Sequence, residues 1–150
     1  MKYYADCEFD GFEGPLLSLA LIREDNEAIY IVYEHNEAAH PWVTENVLPI
    51  MWSIPSPIPG MAYSVNSDLE ASLLLEEYFR GDIAPLVITD WPDDIAYICK
   101  ALITGPDRMI TLPSIRFEVV RRIDAYPTEL KNAVQHNAYW DAQALRVLLS

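Results

Sequence analysis

Cations are scarce in this chain. Ten lysines and arginines stand against 23 aspartates and glutamates in 150 residues, a formal net charge of −13 at neutral pH. That balance excludes a module that grips long nucleic acid by blanket phosphate neutralisation. It leaves room for an enzyme that engages one chain end, because bound metal ions bring positive charge locally. Cysteine is nearly absent too. Cys7 and Cys99 both fall in apolar stretches and are expected as buried free thiols in a reducing compartment, not as a disulfide framework. No apolar run approaches the roughly 20 residues that cross a bilayer, and the first ten residues, one lysine followed by acids, do not resemble a signal peptide. There is no domain-separating linker, internal repeat or low-complexity tract. With 51% hydrophobic residues the chain has material for a core, so the expectation is one domain over residues 1–150, cytoplasmic, with no membrane partner.

The pattern of elements follows from periodicity and punctuation. Tyr3 to Phe9, Leu16 to Arg23 and Ala28 to Tyr33 are rich in β-branched and aromatic residues and are separated by short polar or Gly-Pro turns, which predicts a three-stranded antiparallel meander. Residues 34–66 carry a weaker signal: one or two helical turns over Trp42 to Pro49, then a proline-rich extended surface loop from Ile54 to Gly60. Ser67-Asp68-Leu69-Glu70 is a capping box opening a helix that ends before Gly81. Pro85 to Thr89 reads as a short buried strand, and Pro92 opens a helix expected to end at Gly105-Pro106. Ile115 to Val120 is a further strand, Thr128 to Val134 a short helix, and Ala138 to Leu149 a final helix. Strands followed by helical crossovers favour right-handed parallel pairing. The sum is an α/β fold with a mixed central sheet flanked by helices.

Four acids sit at element ends beside strongly apolar sequence. In a strand, residues two apart share a face, so Asp6 and Glu8 project together, with Tyr4, away from Ala5, Cys7 and Phe9. Either solvent covers both acids or a divalent cation sits between them. Asp94 opens a helix, with Asp93 as the competing position. Asp141 lies one turn into the last helix among Ala138, Ala144 and Leu145, where a carboxylate needs a partner or a metal. His136 would stand at or just before that helix.

An Asp-x-Glu on the first strand, an Asp opening a middle helix and a late His-x4-Asp together resemble the signature of the DEDDh 3′–5′ exonucleases, which have a ribonuclease H-like fold. The chain is most similar to small bacterial and phage ribonuclease T-like 3′ exoribonucleases, in the Asp-x-Glu-Phe strand near the start and in the segment Trp42 to Pro49. The resemblance implies that Asp6 bridges two Mg²⁺ or Mn²⁺ ions. Glu8 and Asp141 would complete the site nearer the nucleophile, Asp94 would hold the second ion, and His136 would orient or deprotonate the attacking water. The implied activity is release of nucleoside monophosphates from 3′ ends of RNA, with single-stranded DNA as the other substrate class. Two features depart from the family: an aspartate, Asp93, precedes Asp94 where an aromatic residue is usual, and the chain is strongly acidic.

For substrate contacts, Phe9, Trp91 and Tyr139 are the candidate stacking platforms, each with core packing as the plain alternative; Trp42 and Trp140 are further candidates. Arg108, Arg116, Arg121 and Arg122 are either a phosphate-holding edge or the cationic half of surface ion pairs. His35 and His40 read as ordinary loop histidines. A rival function on the same fold is an acidic protein-binding or nucleic-acid-mimicking module. Homodimers are common among similar enzymes, and the proline-rich loop offers a surface for one.

Overall fold

In the computed structural model, residues 1–34, 38 and 40–150 are described; His35 lies outside them. The meander forms as its patterning dictates, with β1 (Lys2–Phe9), β2 (Leu16–Arg23) and β3 (Ala28–Tyr33) joined antiparallel. Two parallel strands, β5 (Leu86–Thr89) and β8 (Arg116–Val119), extend the sheet beyond β1, and β4 (Gly60–Val65) extends it beyond β3. The strand order is β4-β3-β2-β1-β5-β8, a mixed sheet of six strands. Residues 103–105 and 108–109 form a separate small hairpin, β6 and β7.

Helices cover both faces. On one, α2 (Asp68–Tyr78) and α3 (Pro92–Ala101) bury Ala71, Leu75, Ile98 and Ala101, with Phe79 just after α2, against Tyr3, Ala5 and Cys7 of β1. On the other, α1 (Pro41–Asn46) and α4 (Ala138–Leu149) set Val43, Ala138 and Ala142 against Ala20, Ile22 and Tyr30. Full burial of a side chain such as Leu75 or Ile98 contributes about 1.5–3 kcal/mol. Tyr4 meets Leu145 of α4, so by strand alternation Asp6 and Glu8 also lie on the α4 face of β1. Ser67 caps α2 by accepting the Glu70 N–H, and a Glu70 carboxylate oxygen accepts the Asn66 N–H. The reciprocal arrangement resembles a capping box.

Several sequence expectations are corrected. β4 was not anticipated: it is a short edge strand beside the proline-rich loop, with half of its residues exposed. Its partner β3 approaches closely at Gly60, where a Cβ would stand 2.0 Å from the Ala28 carbonyl oxygen. The α3 helix stops at Ala101, short of Gly105. There Ser72 Oγ donates to the Ala101 carbonyl at 2.6 Å, taking up an unpaired helix-end acceptor. Thr128 to Val134 is no α-helix but a single 3₁₀ turn at Pro127–Glu129; Leu130 is extended and Asn132 left-handed, with φ 66°. Cys7 is buried as expected, but Cys99 is exposed, on the outer face of α3. Within the proline-rich loop Ile58 is buried and anchors the segment to the core. Among the described residues no helix is long and apolar enough to cross a membrane.

Candidate metal centre

β1 runs beside β5 only as far as the Tyr4–Ile88 pair. Beyond it the two strands part, β5 ends at Thr89, and the chain turns into α3. Such a crevice outside the carboxyl ends of parallel strands is where open α/β sheets place their ligands. Asp6 and Glu8 line it from β1, Asp94 from the first turn of α3 and Asp141 from the first turns of α4. Asp90, immediately after β5, joins them. The carboxylates form two groups, Asp6 with Glu8 and Asp141, and Asp6 with Asp90 and Asp94. Within each, one oxygen per residue lies within 4.8 Å of the others. Asp6 belongs to both.

Main-chain groups close by favour the charged forms, Cys7 for Asp94 and His136 with Asn137 for Asp141. Asn137 is the N-cap of α4. Its side chain accepts from Tyr139 and Trp140 and donates to the Ile50 and Met51 carbonyls, tying the helix start to the segment after α1. His136, with φ 61°, sits just before that cap.

These acids share the cavity floor almost without positive charge. Burial, then the neighbouring carboxylates Asp94, Asp141 and Glu8, push the Asp6 carboxyl well above the usual range. Burial, then the charges of Asp141 and Asp94, do the same to Glu8. Asp94 is pushed up to about 8 and Asp141 to about 7, burial first and Asp90 next in each. Oδ2 of Asp6 and Oδ2 of Asp94 are buried and accept no hydrogen bond. An unpaired buried acceptor costs about 1–3 kcal/mol, more when charged. A set of hard oxygen donors with unspent lone pairs fits a hard divalent cation such as Mg²⁺ or Mn²⁺.

The cavity, about 570 Å³, has an aromatic rim. Phe9 lines it while stacked on Tyr97, ring centroids 4.7 Å apart. Trp42 and Trp91, each about half exposed, stand at its edge. Trp42 meets the His136 ring edge-to-face at 4.9 Å. Arg121 lies over the Trp91 ring, 4.7 Å from its centroid, and its Nη1 donates to the Asp90 carbonyl.

Of the sequence-derived candidates, Asp6, Glu8, Asp94, Asp141, His136, Phe9 and Trp91 come together around this cavity. Asp93 lines its edge instead of joining the cluster, and accepts a hydrogen bond from the Trp91 indole at 3.0 Å. Tyr139 is corrected: it is 2% exposed, packs near Tyr30 and hydrogen-bonds Gln143, so it is a core residue beyond a substrate's reach. Trp140 is likewise buried, its indole donating to Ser53. Of the four arginines, only Arg121 lines the cavity. His40 lines it too. Asp90, Phe12 and Tyr126 were missed. Asp90 meets the criterion that singles out the other acids, an element end beside an apolar strand, and that was the signal by which it could have been found. Comparison of the chain with protein-family models and with curated proteins finds no match.

Proposed function

We propose that the chain is a metal-dependent 3′–5′ exonuclease of ribonuclease H-like fold. It would release nucleoside monophosphates from RNA 3′ ends, with single-stranded DNA as the second polymer the site would admit. The observation that carries this reading is the convergence of Asp6, Glu8, Asp94 and Asp141 from three separate elements in one crevice, with buried oxygens of Asp6 and Asp94 left unpaired. The order of these acids along the chain, with His136 before the last, supports the exonuclease class.

In this reading Asp6, Glu8 and Asp141 hold one divalent cation, and Asp6 with Asp94 holds a second. Cations bound there supply charge stabilisation for the attacking and leaving oxygens of an in-line phosphoryl displacement. The chain's own groups do the rest. His136, at the cavity wall beside Trp42, accepts the proton of the attacking water. Phe9 and Trp91 offer faces on which a terminal base stacks, in a sequence-tolerant way. Arg121 supplies a guanidinium for a backbone phosphate in an otherwise acidic cavity.

A 5′-labelled single-stranded oligonucleotide, as RNA and as DNA, incubated with the full chain with and without Mn²⁺, tests the proposal. A metal-dependent ladder shortening by single nucleotides from the 3′ end is expected, stronger on RNA. Internal cuts, or an unchanged oligonucleotide, would contradict it.

A further inference from the structure

The resemblance that motivates the proposed function assigns no role to Asp90. We infer that Asp90 is a direct ligand of the second cation, so that this ion is held by three protein carboxylates: Asp90, Asp6 and Asp94. The inference rests on the two-cation reading above and deepens it.

Three observations carry it. First, carboxylate oxygens of Asp6, Asp90 and Asp94 lie within 4.8 Å of one another, as compact as the group of Asp6, Glu8 and Asp141. Second, Asp94 is 2% exposed, lines the cavity, and its Oδ2 accepts no hydrogen bond; Oδ2 of Asp6 is in the same condition. Third, the group lacks a paired cation: Arg121 acts on the Asp90 carboxyl only through space. Among the described residues no ion pair reaches these acids, and Arg121 bonds the Asp90 carbonyl and covers Trp91 instead. The Ala125 main chain lies beside the Asp90 carboxylate and favours its charged form. Like charges gathered on rigid elements without an ion-pair partner, these three oxygens suit one hard cation of the magnesium–manganese class.

Isothermal titration of the full chain with Mn²⁺ tests this, with Asp90→Asn beside Asp124→Asn. Asp124 is exposed and electrostatically close to Asp90 but outside both carboxylate groups, so it controls for loss of one charge. Wild type and Asp124→Asn should bind two ions. Asp90→Asn should keep one at unchanged affinity and weaken the other by at least the roughly tenfold that even an outer-shell partner is worth. Melting without metal separates this from misfolding. Removing one like charge should leave Asp90→Asn at least as stable as wild type, yet with a smaller gain from Mn²⁺. Two ions bound at wild-type affinity in Asp90→Asn, a single ion in wild type, or equal weakening in Asp124→Asn would overturn the inference. An inert oligonucleotide despite two bound ions would overturn the exonuclease reading and leave this site standing.

Discussion

Asp6 belongs to both carboxylate groups, one with Glu8 and Asp141 and the other with Asp90 and Asp94. In water such charges would repel weakly, but inside a cavity the effective dielectric is lower and the repulsion grows. Protons or cations must therefore neutralise the cluster. His136 lines the same cavity and lies outside both carboxylate groups, so as the proposed general base it would have a separate task. His136→Ala should lower kcat on the labelled oligonucleotide by about 10²–10⁴-fold, the usual worth of a general base, while leaving the Mn²⁺-induced rise in melting temperature largely intact. Loss of that rise in the variant would make His136 a ligand and not a base.

At the scale of elements, the site depends on how α4 begins. Asn137 caps the helix and ties it to the carbonyls of Ile50 and Met51, and the Asp141 N–H donates to the Asn137 carbonyl. Asn137→Ala should cost about 1–3 kcal/mol in urea unfolding, a lost cap plus orphaned buried acceptors, and should weaken Mn²⁺ binding through Asp141. Unchanged stability would show that the cap is dispensable. The elements were legible where local signals agree with tertiary placement. The meander strands and α4 are rich in apolar residues at the spacing of their element, and Ser67 with Glu70 announced α2. Elements defined by long-range contacts were not. β4 exists because β3 offers it an edge, and half of its residues are exposed. The end of α3 is set by Ser72 of another helix. Asp6, Glu8, Asp94 and Asp141 were readable as a set because each interrupts apolar sequence, whereas Tyr139 carries no mark in the sequence that separates a core aromatic from a stacking platform.

At the scale of the whole molecule the formal charge is −13, and six of the 23 acids, Asp6, Glu8, Asp90, Asp93, Asp94 and Asp141, line one cavity. The buried acids couple stability to pH in a definite direction. Asp94 and Asp141 have folded-state values of about 8 and about 7, raised from 3.8. Between those limits the native state binds more protons than the unfolded chain, so their protonated carboxyls stabilise the fold at low pH, and that stability is lost as pH rises through about 7 and 8. Cations act with the opposite sign, since they require deprotonated ligands and bind the native site alone. The most direct test of the cluster as a cation site is therefore the melting temperature from about pH 6 to about pH 9, with and without Mg²⁺. The account predicts a fall with pH in the metal-free protein, and a Mg²⁺-dependent gain that grows over the same interval and offsets it. Identical pH profiles with and without Mg²⁺ would contradict it.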